Sequence, residues 1–137
     1  MSRVREAMVS EPRTLEAWAP AVEAGQLLAR PEVRAVFVCD EGRLVGVVTR
    51  KTLVREVVAP GRDPRETPVG EIAEEPLYTL DSELDLEEAF RFLEEHDAER
   101  VPVVEGGRLV GVLSRSVLQR RLAEDEPSAG AEDQQQV

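Results

Sequence analysis

Two short segments have the residue types of a phosphate-binding site. Thr49-Arg50 and Ser114-Arg115 each follow an apolar run and open a helical pattern. The first turn of a helix leaves backbone N–H groups unpaired and carries a partial positive charge, which stabilises a phosphate. A hydroxyl and a guanidinium at that place would add hydrogen bonds to the same ligand. The residue types equally suit helix N-caps and solvated arginines, so both interpretations stay open.

Catalytic and metal chemistry have little support in the sequence. His96 is the only histidine, and no Ser or Cys is spaced to act as its partner. Cys39 is the only cysteine, which excludes an intramolecular disulfide and a cysteine-based metal site. Glu87-Glu88 and Glu94-Glu95 are typical of a solvated helix face, and Gly106-Gly107 lacks the Lys of a phosphate-cradling loop. The sequence predicts a protein that is not an enzyme and has no metal site.

Acidic residues outnumber basic ones, 28 against 17, for a formal net charge of -11. This charge opposes binding to a phosphate backbone, so nucleic acid is not an expected partner. Residues 123–137 carry five acidic side chains and no basic one, and their composition predicts a disordered acidic tail. No apolar stretch is long enough to span a membrane and no apolar signal segment begins the chain, which predicts a cytoplasmic protein.

An internal repeat organises the rest of the chain. The hexapeptide Gly42–Val47 recurs unchanged at Gly107–Val112, an offset of 65 residues, and the match continues to Leu53 and Leu118. A period of this length suits a small globular half-domain. The predicted domains are a first repeat with its linker at 1–64, a second repeat at 65–122 and the tail at 123–137.

Each repeat shows the same order of patterns, a helix, a hairpin and a second helix. The predicted fold class is α/β (α+β), with a small mixed sheet packed against two helices in each repeat. The Val-rich hairpin strands predict burial on both faces, Ser82 with Asp85 predicts a capping box, and Pro20 suits a first helical turn. The predicted helices are 20–29, 50–57, 83–95 and 115–122, and the predicted hairpin strands are 35–39, 44–48, 101–104 and 109–113.

This order, made twice, resembles the tandem cystathionine-beta-synthase (CBS) domain pair, also called a Bateman module. Glu-Pro precedes Thr14 and Thr79 in the two copies, and Arg100–Val104 resembles the first hairpin strand of the family. The remaining segments that carry the resemblance are Val4–Met8, Val69–Ala73, Gly42–Leu53 and Gly107–Leu118.

The resemblance implies a non-enzymatic regulatory module that binds an adenosyl-containing ligand in clefts between its two repeats. The ligand would be similar to AMP, ADP, ATP or S-adenosylmethionine, and no cofactor is required. In the family the base meets strand backbone, and phosphates meet the junction hydroxyl and nearby basic side chains. Carried onto this chain, the ligand-binding residues are Thr14, Val36, Thr49, Arg50, Thr52, Thr79, Val101, Pro102, Ser114 and Arg115.

The chain departs from the family at one position of each site. The resemblance implies a ribose-binding Asp three residues after the junction Ser or Thr, where this chain has Thr52 and Val117. Thr52 retains a hydroxyl that can make one bond, whereas Val117 can make none. The missing Asp favours an alternative function, a ligand-free dimerisation or protein-interaction scaffold, while the retained Thr/Ser-Arg junctions favour the nucleotide module.

Self-association is expected for either function. The resemblance implies a homodimer of stacked CBS pairs, and an effector protein in trans is a possible second partner. The candidate dimer surfaces are the flanks of Met8, Leu53, Val57 and Leu118.

Overall fold

The computed structural model describes residues 2–10 and 12–124, and these residues form two compact units. The first unit contains residues 12–77 and 106–109, and the second contains residues 2–10, 78–105 and 110–124. The two units differ from the sequence repeats, because residues 2–10 pack in the second unit and residues 65–77 pack in the first. The last helix continues through Glu124, and the rest of the predicted acidic tail lies outside the described residues.

The helices and strands follow one another in the same order in both halves of the chain, except that β1 has no counterpart strand in the second half. Among the residues that the structure describes, no helix is long and apolar enough to cross a membrane. In chain order the elements are α1 (Val4–Ala7), β1 (Val9–Ser10), β2 (Thr14–Glu16), α2 (Ala21–Leu28), β3 (Val36–Asp40), β4 (Arg43–Val48), α3 (Arg50–Leu53) continued by a π-helical turn (Val54–Val58), α4 (Val69–Ile72), β5 (Leu80–Asp81), α5 (Leu86–Glu95), β6 (Arg100–Glu105), β7 (Arg108–Ser114) and α6 (Arg115–Glu124).

In the first unit, β2 pairs with β3 in parallel and β3 pairs with β4 in antiparallel orientation. The predicted burial on both faces is confirmed for β3, whose first four residues are buried, and is wrong for β4, where Arg43 and Val45 are exposed. The apolar residues of β3 pack against α2, α4 and the π-helical turn through Leu28, Ile72 and Val57. This core holds β4, and therefore the start of α3, in place.

The second unit repeats the arrangement with its own core. β5 pairs with β6 in parallel, β6 neighbours β7, and β1 pairs with β7 in antiparallel orientation. Its core includes Val4 from α1 and Leu93, Leu113 and Leu118 from α5, β7 and α6, all of them fully buried. Val57 of the first unit and Leu118 are thus core residues of their own units, so a dimer surface at these places would have to use the residues beside them.

The starts of α2 and α5 differ from the predicted ones by one and by three residues. Asp85 is the N-cap of α5, because its side chain accepts a 2.8 Å hydrogen bond from the backbone N–H of Glu87. Ser82 instead donates to Glu105 at 2.6 Å, so the predicted capping box of Ser82 and Asp85 is wrong. Pro20 is the N-cap of α2, so it stands one residue before the first helical turn and not within it as predicted.

The repeated hexapeptide has a structural explanation in the first unit, which contains both turn glycines. Gly42 and Gly107 have φ values of +85° and +83°, a region that favours glycine. The Arg108 guanidinium lies over Gly42 and the Arg43 guanidinium lies over Gly107, so a side chain at either glycine would collide with an arginine. Backbone hydrogen bonds from Leu44 to Gly107 and from Leu109 to Gly42 join the same segments. The positive φ explains the glycine in both copies, and the arginine that follows each glycine packs across the turn of the other copy.

Candidate functional site

The junction of β4 and α3 confirms the predicted N-cap and shows how its hydroxyls are used. Thr49 Oγ1 accepts a 3.3 Å hydrogen bond from the Thr52 backbone N–H, and Thr52 Oγ1 accepts a 3.0 Å bond from the Thr49 backbone N–H. The two hydroxyl oxygens lie 3.0 Å apart, and Thr52 has no exposed surface. Thr49 and Thr52 were both predicted to bind ligand, and the structure brings them together, with the Thr52 hydroxyl bonded within the chain.

A carboxylate that the sequence reasoning missed completes this cluster. Thr52 Oγ1 donates to Glu74 Oε2 at 3.3 Å, and the other carboxylate oxygen of Glu74 forms an ion pair with Arg55. The Glu74 side chain is 41% exposed, so the carboxylate faces solvent as well as the cluster. Glu74 lies 22 residues beyond Thr52, and no local pattern in the sequence connects the two positions. Arg55, which lies in the π-helical turn after α3, belongs to the cluster through this ion pair.

The two junction arginines contact their own chain. Arg50 donates from Nη2 to the carbonyl oxygens of Arg30 and Val33, at 2.8 and 2.9 Å, and so fixes the loop between α2 and β3. Arg115 pairs with Asp97 at 3.3 Å and with Glu99 at 3.4 Å. Neither guanidinium is a purely solvated group, which was the alternative to a phosphate contact that the sequence left open.

The corresponding junction of the second repeat has the same backbone pattern with different chemistry. Ser114 Oγ accepts a 3.3 Å hydrogen bond from the Val117 backbone N–H, which confirms the predicted N-cap. The Ser114 hydroxyl also lies 3.0 Å from Ser116 Oγ. Val117 stands where Thr52 stands in the first repeat and is half-buried. This junction therefore has no hydroxyl at the position of Thr52, and its second hydroxyl comes from Ser116.

The remaining predicted site residues lie on strands or beside them. Thr14 is exposed on β2 and lines an open groove of about 610 Å³ between β2 and α2, together with Arg13 and Arg30. Thr79 is exposed just before β5. The other predicted strand residues are buried, namely Val36, Val101 and Pro102.

His96 is an exposed residue whose ring lies against two other aromatic rings. Its Nδ1 lies 2.9 Å from the Phe92 carbonyl oxygen, and its ring centroid lies 4.2 Å from that of Phe92 and 4.7 Å from that of Tyr78. Among the described residues, no group of three or more His, Cys, Asp or Glu side chains lies together as a metal site would require. The contacts of His96 are thus those of an aromatic cluster.

Cys39 allows a direct check of the first-unit core. Burial raises the pKa of the Cys39 thiol, and the nearby Glu16 carboxylate raises it further. Because only the thiolate reacts, we expect modification by a disulfide reagent at pH 8 to be at least roughly tenfold slower than for free cysteine. The onset of reactivity should shift to higher pH, since a raised pKa keeps the thiol protonated. Absorbance kinetics measure the rate, and unfolding in guanidinium should restore the ordinary profile; fast labelling of the folded protein would contradict the burial.

Comparison with known proteins agrees with the paired architecture. The family model for the CBS domain matches residues 4–59 and again residues 69–124. The fold is therefore that of a tandem pair of small mixed α/β repeats, and the chain belongs to the CBS domain family.

One relative and three solved structures illustrate the similarity. "Hypoxic response protein 1" from Mycobacterium tuberculosis is 33% identical over 102 residues, which cover 74% of this chain and 71% of that protein. The crystal structure of Hypoxic Response Protein I, described with two coordinated zinc ions, has a TM-score of 0.74 at 28% identity and covers 88% of this chain and 99% of its own. CBSX2 in complex with AMP has a TM-score of 0.73 at 25% identity, covering 92% and 99%. A hexameric CBS-CP12 protein from bloom-forming cyanobacteria has a TM-score of 0.61 at 27% identity, covering 97% and 84%.

Proposed function

We propose that this chain is a non-enzymatic regulatory module that senses an adenosyl-containing ligand similar to AMP, ADP or ATP. The observation that carries the proposal is the similarity, over nearly the whole chain, to CBSX2, whose structure was determined with AMP. The junction of β4 and α3 adds support, because it places hydroxyls, a carboxylate and a guanidinium together at a partly exposed position.

The ligand would act by shifting an equilibrium between two arrangements of the protein or of its complexes. Such a shift requires that the ligand bind one arrangement more tightly than the other. Homodimerisation and an effector protein in trans are the proposed partners, and CBS-CP12 is a relative that assembles, in its case as a hexamer. A cytoplasmic location stays part of the proposal.

A scaffold without a ligand is the second candidate, and a specific observation favours it. Arg50 and Arg115, the two arginines expected to meet phosphates, are engaged by carbonyl oxygens and carboxylates of the chain. The exposed apolar side chains on the helix that follows the first junction are Val54 and Val58. These residues replace Val57 as the candidates for a self-association surface in this part of the chain.

A thermal-shift series separates the two functions. AMP, ADP, ATP, NAD and S-adenosylmethionine are each added at millimolar concentration, with GMP as a control for unspecific nucleotide effects. A ligand present at about 100 times its Kd stabilises the folded state by about 2.7 kcal/mol, which raises the Tm by several degrees. We expect at least one adenosyl compound to give this shift and GMP to give a smaller one. No shift with any adenosyl compound would contradict the sensor and leave the scaffold.

A further inference from the structure

Glu74 is fixed in place by its backbone. Its N–H donates to the Val47 carbonyl oxygen at 2.9 Å, and its own carbonyl oxygen accepts from the Val47 N–H at 2.8 Å. The preceding residue, Ala73, packs so closely against Gly46 that a Cβ at Gly46 would lie 2.6 Å from the Ala73 Cβ. The segment after α4 is therefore held against β4, and the Glu74 side chain starts from a defined point beside the first junction.

The carboxylate of Glu74 is also held at both oxygens. Oε2 accepts from the buried Thr52 hydroxyl at 3.3 Å, and Oε1 is paired with the Arg55 guanidinium. An ionised carboxylate offers roughly four lone-pair sites, so acceptor capacity remains on each oxygen. Because the side chain is 41% exposed, that capacity is open to a ligand. The cluster presents an oriented acceptor to solvent at the place where Thr52 itself cannot reach a ligand.

The second repeat has the same backbone arrangement without the acceptor. Val9 pairs with Val112 in the register in which Glu74 pairs with Val47, each residue being displaced by 65 positions. Met8 packs on Gly111 as Ala73 packs on Gly46. The residue in place of Glu74 is thus Val9, and the residue in place of Thr52 is Val117. Both members of the polar pair are replaced by valines, and the two repeats differ in chemistry at one equivalent place.

We propose that the Glu74 carboxylate is a specificity-determining acceptor that binds adjacent hydroxyl groups of the ligand, such as a ribose diol, at the first repeat only. This inference rests on the proposed function. Hydrogen bonds from hydroxyls to an ionised carboxylate are shorter and stronger than those to neutral acceptors. The same negative charge opposes a phosphate at this point, so the sugar rather than an anionic group fits beside it. Thr52 is a positioning residue that holds the carboxylate, and the second repeat does not discriminate a ribose from a deoxyribose.

Calorimetric titration with AMP and with 2′-deoxy-AMP tests the proposal. The wild-type protein should bind AMP roughly 10- to 100-fold more tightly than 2′-deoxy-AMP, since one charge-assisted hydrogen bond is lost. In Glu74→Gln this preference should fall to within about threefold, because a neutral amide no longer makes charge-assisted hydrogen bonds with the sugar hydroxyls. Glu75→Gln, the same change at the exposed neighbouring residue, should keep the wild-type preference. Thr52→Val should lose part of the preference, because the carboxylate is then held only by Arg55.

The outcomes distinguish this inference from the function on which it rests. If the wild-type protein binds AMP and 2′-deoxy-AMP equally well, or if Glu74→Gln retains the full preference, the role of Glu74 is wrong and the adenosyl sensor stands. If the folded wild-type protein binds no adenosyl compound, the sensor is wrong and the role of Glu74 is removed with it. Thermal melts of each variant establish that a lost preference comes from the site and not from unfolding.

Discussion

Gly46→Ala is expected to destabilise the protein by about 1 to 3 kcal/mol, the range typical of an inserted methyl group in a close-packed site. The new Cβ would lie 2.6 Å from the Ala73 Cβ and 3.1 Å from the Glu74 carbonyl oxygen. Both atoms belong to or adjoin the backbone, so the segment after α4 must move away from β4. That movement strains the two hydrogen bonds between Val47 and Glu74 and displaces the carboxylate from Thr52.

Thermal unfolding followed by circular dichroism measures the effect, with an expected fall in Tm of roughly 3 to 12 °C. Gly25→Ala is the matched control, because Gly25 lies within α2 and a Cβ there would meet only Leu53, at an ordinary 3.9 Å. Alanine is favoured over glycine in a helix by about 0.8 to 1.0 kcal/mol, so the control should be neutral or stabilising. A Gly46→Ala protein as stable as the wild type would show that the segment after α4 does not need its close approach to β4.

Local features of the fold were predictable from the sequence because their causes lie within a few residues. The hairpins follow from two Val-rich runs around turn residues, and Gly42 occupies a positive φ that glycine adopts without strain. The N-caps Thr49 and Ser114 follow from a hydroxyl at the start of a helical pattern, and both accept the expected backbone hydrogen bond. In these segments the predicted and the observed structure agree, because interactions between residues close in sequence determine both.

Contacts between distant residues were not predictable from those patterns. α1 packs in the second unit, where the Val4 N–H donates a hydrogen bond to the Leu84 carbonyl oxygen. The segment that begins each repeat therefore belongs to the compact unit that contains most of the other repeat. The positions of the ligand-binding candidates were inferred from the resemblance, which assigned no role to Glu74. Its link to Thr52 depends on the pairing of Glu74 with Val47, and nothing in the local sequence encodes that register.

The contacts of the two junction arginines show the same limit. A Ser/Thr-Arg pair before a helix predicts a phosphate contact or a solvated side chain, because only the local residues are considered. In the folded chain Arg50 meets the carbonyl oxygens that follow α2, and Arg115 meets carboxylates that follow α5. These acceptors come from the turn before each hairpin. The positive charge of these arginines therefore did not predict which carbonyl oxygens and carboxylates they contact in the folded chain.

Leu118→Ala should cost about 2 to 5 kcal/mol of folding free energy, the range for removing a buried leucine side chain from a core. Leu118 has no exposed surface and packs with α1, α5 and β7 in the second-unit core. The expected fall in Tm is roughly 6 to 20 °C, measured by calorimetry at a fixed protein concentration. Its placement in the core also means that the change should act on stability within each chain rather than on a surface between chains.

Leu77→Ala provides the matched control, because the same side chain is removed at a position that is 88% exposed, and such a change should stay within about 0.5 kcal/mol of the wild type. Analytical ultracentrifugation of the two variants then separates folding from association. If Leu118→Ala left the Tm unchanged but reduced the sedimenting mass, Leu118 would belong to a surface between chains, as the sequence had suggested, and its place in the core would be wrong. A large loss of stability in both variants would show that the exposure of these two leucines in the single chain does not determine how much each contributes to folding stability.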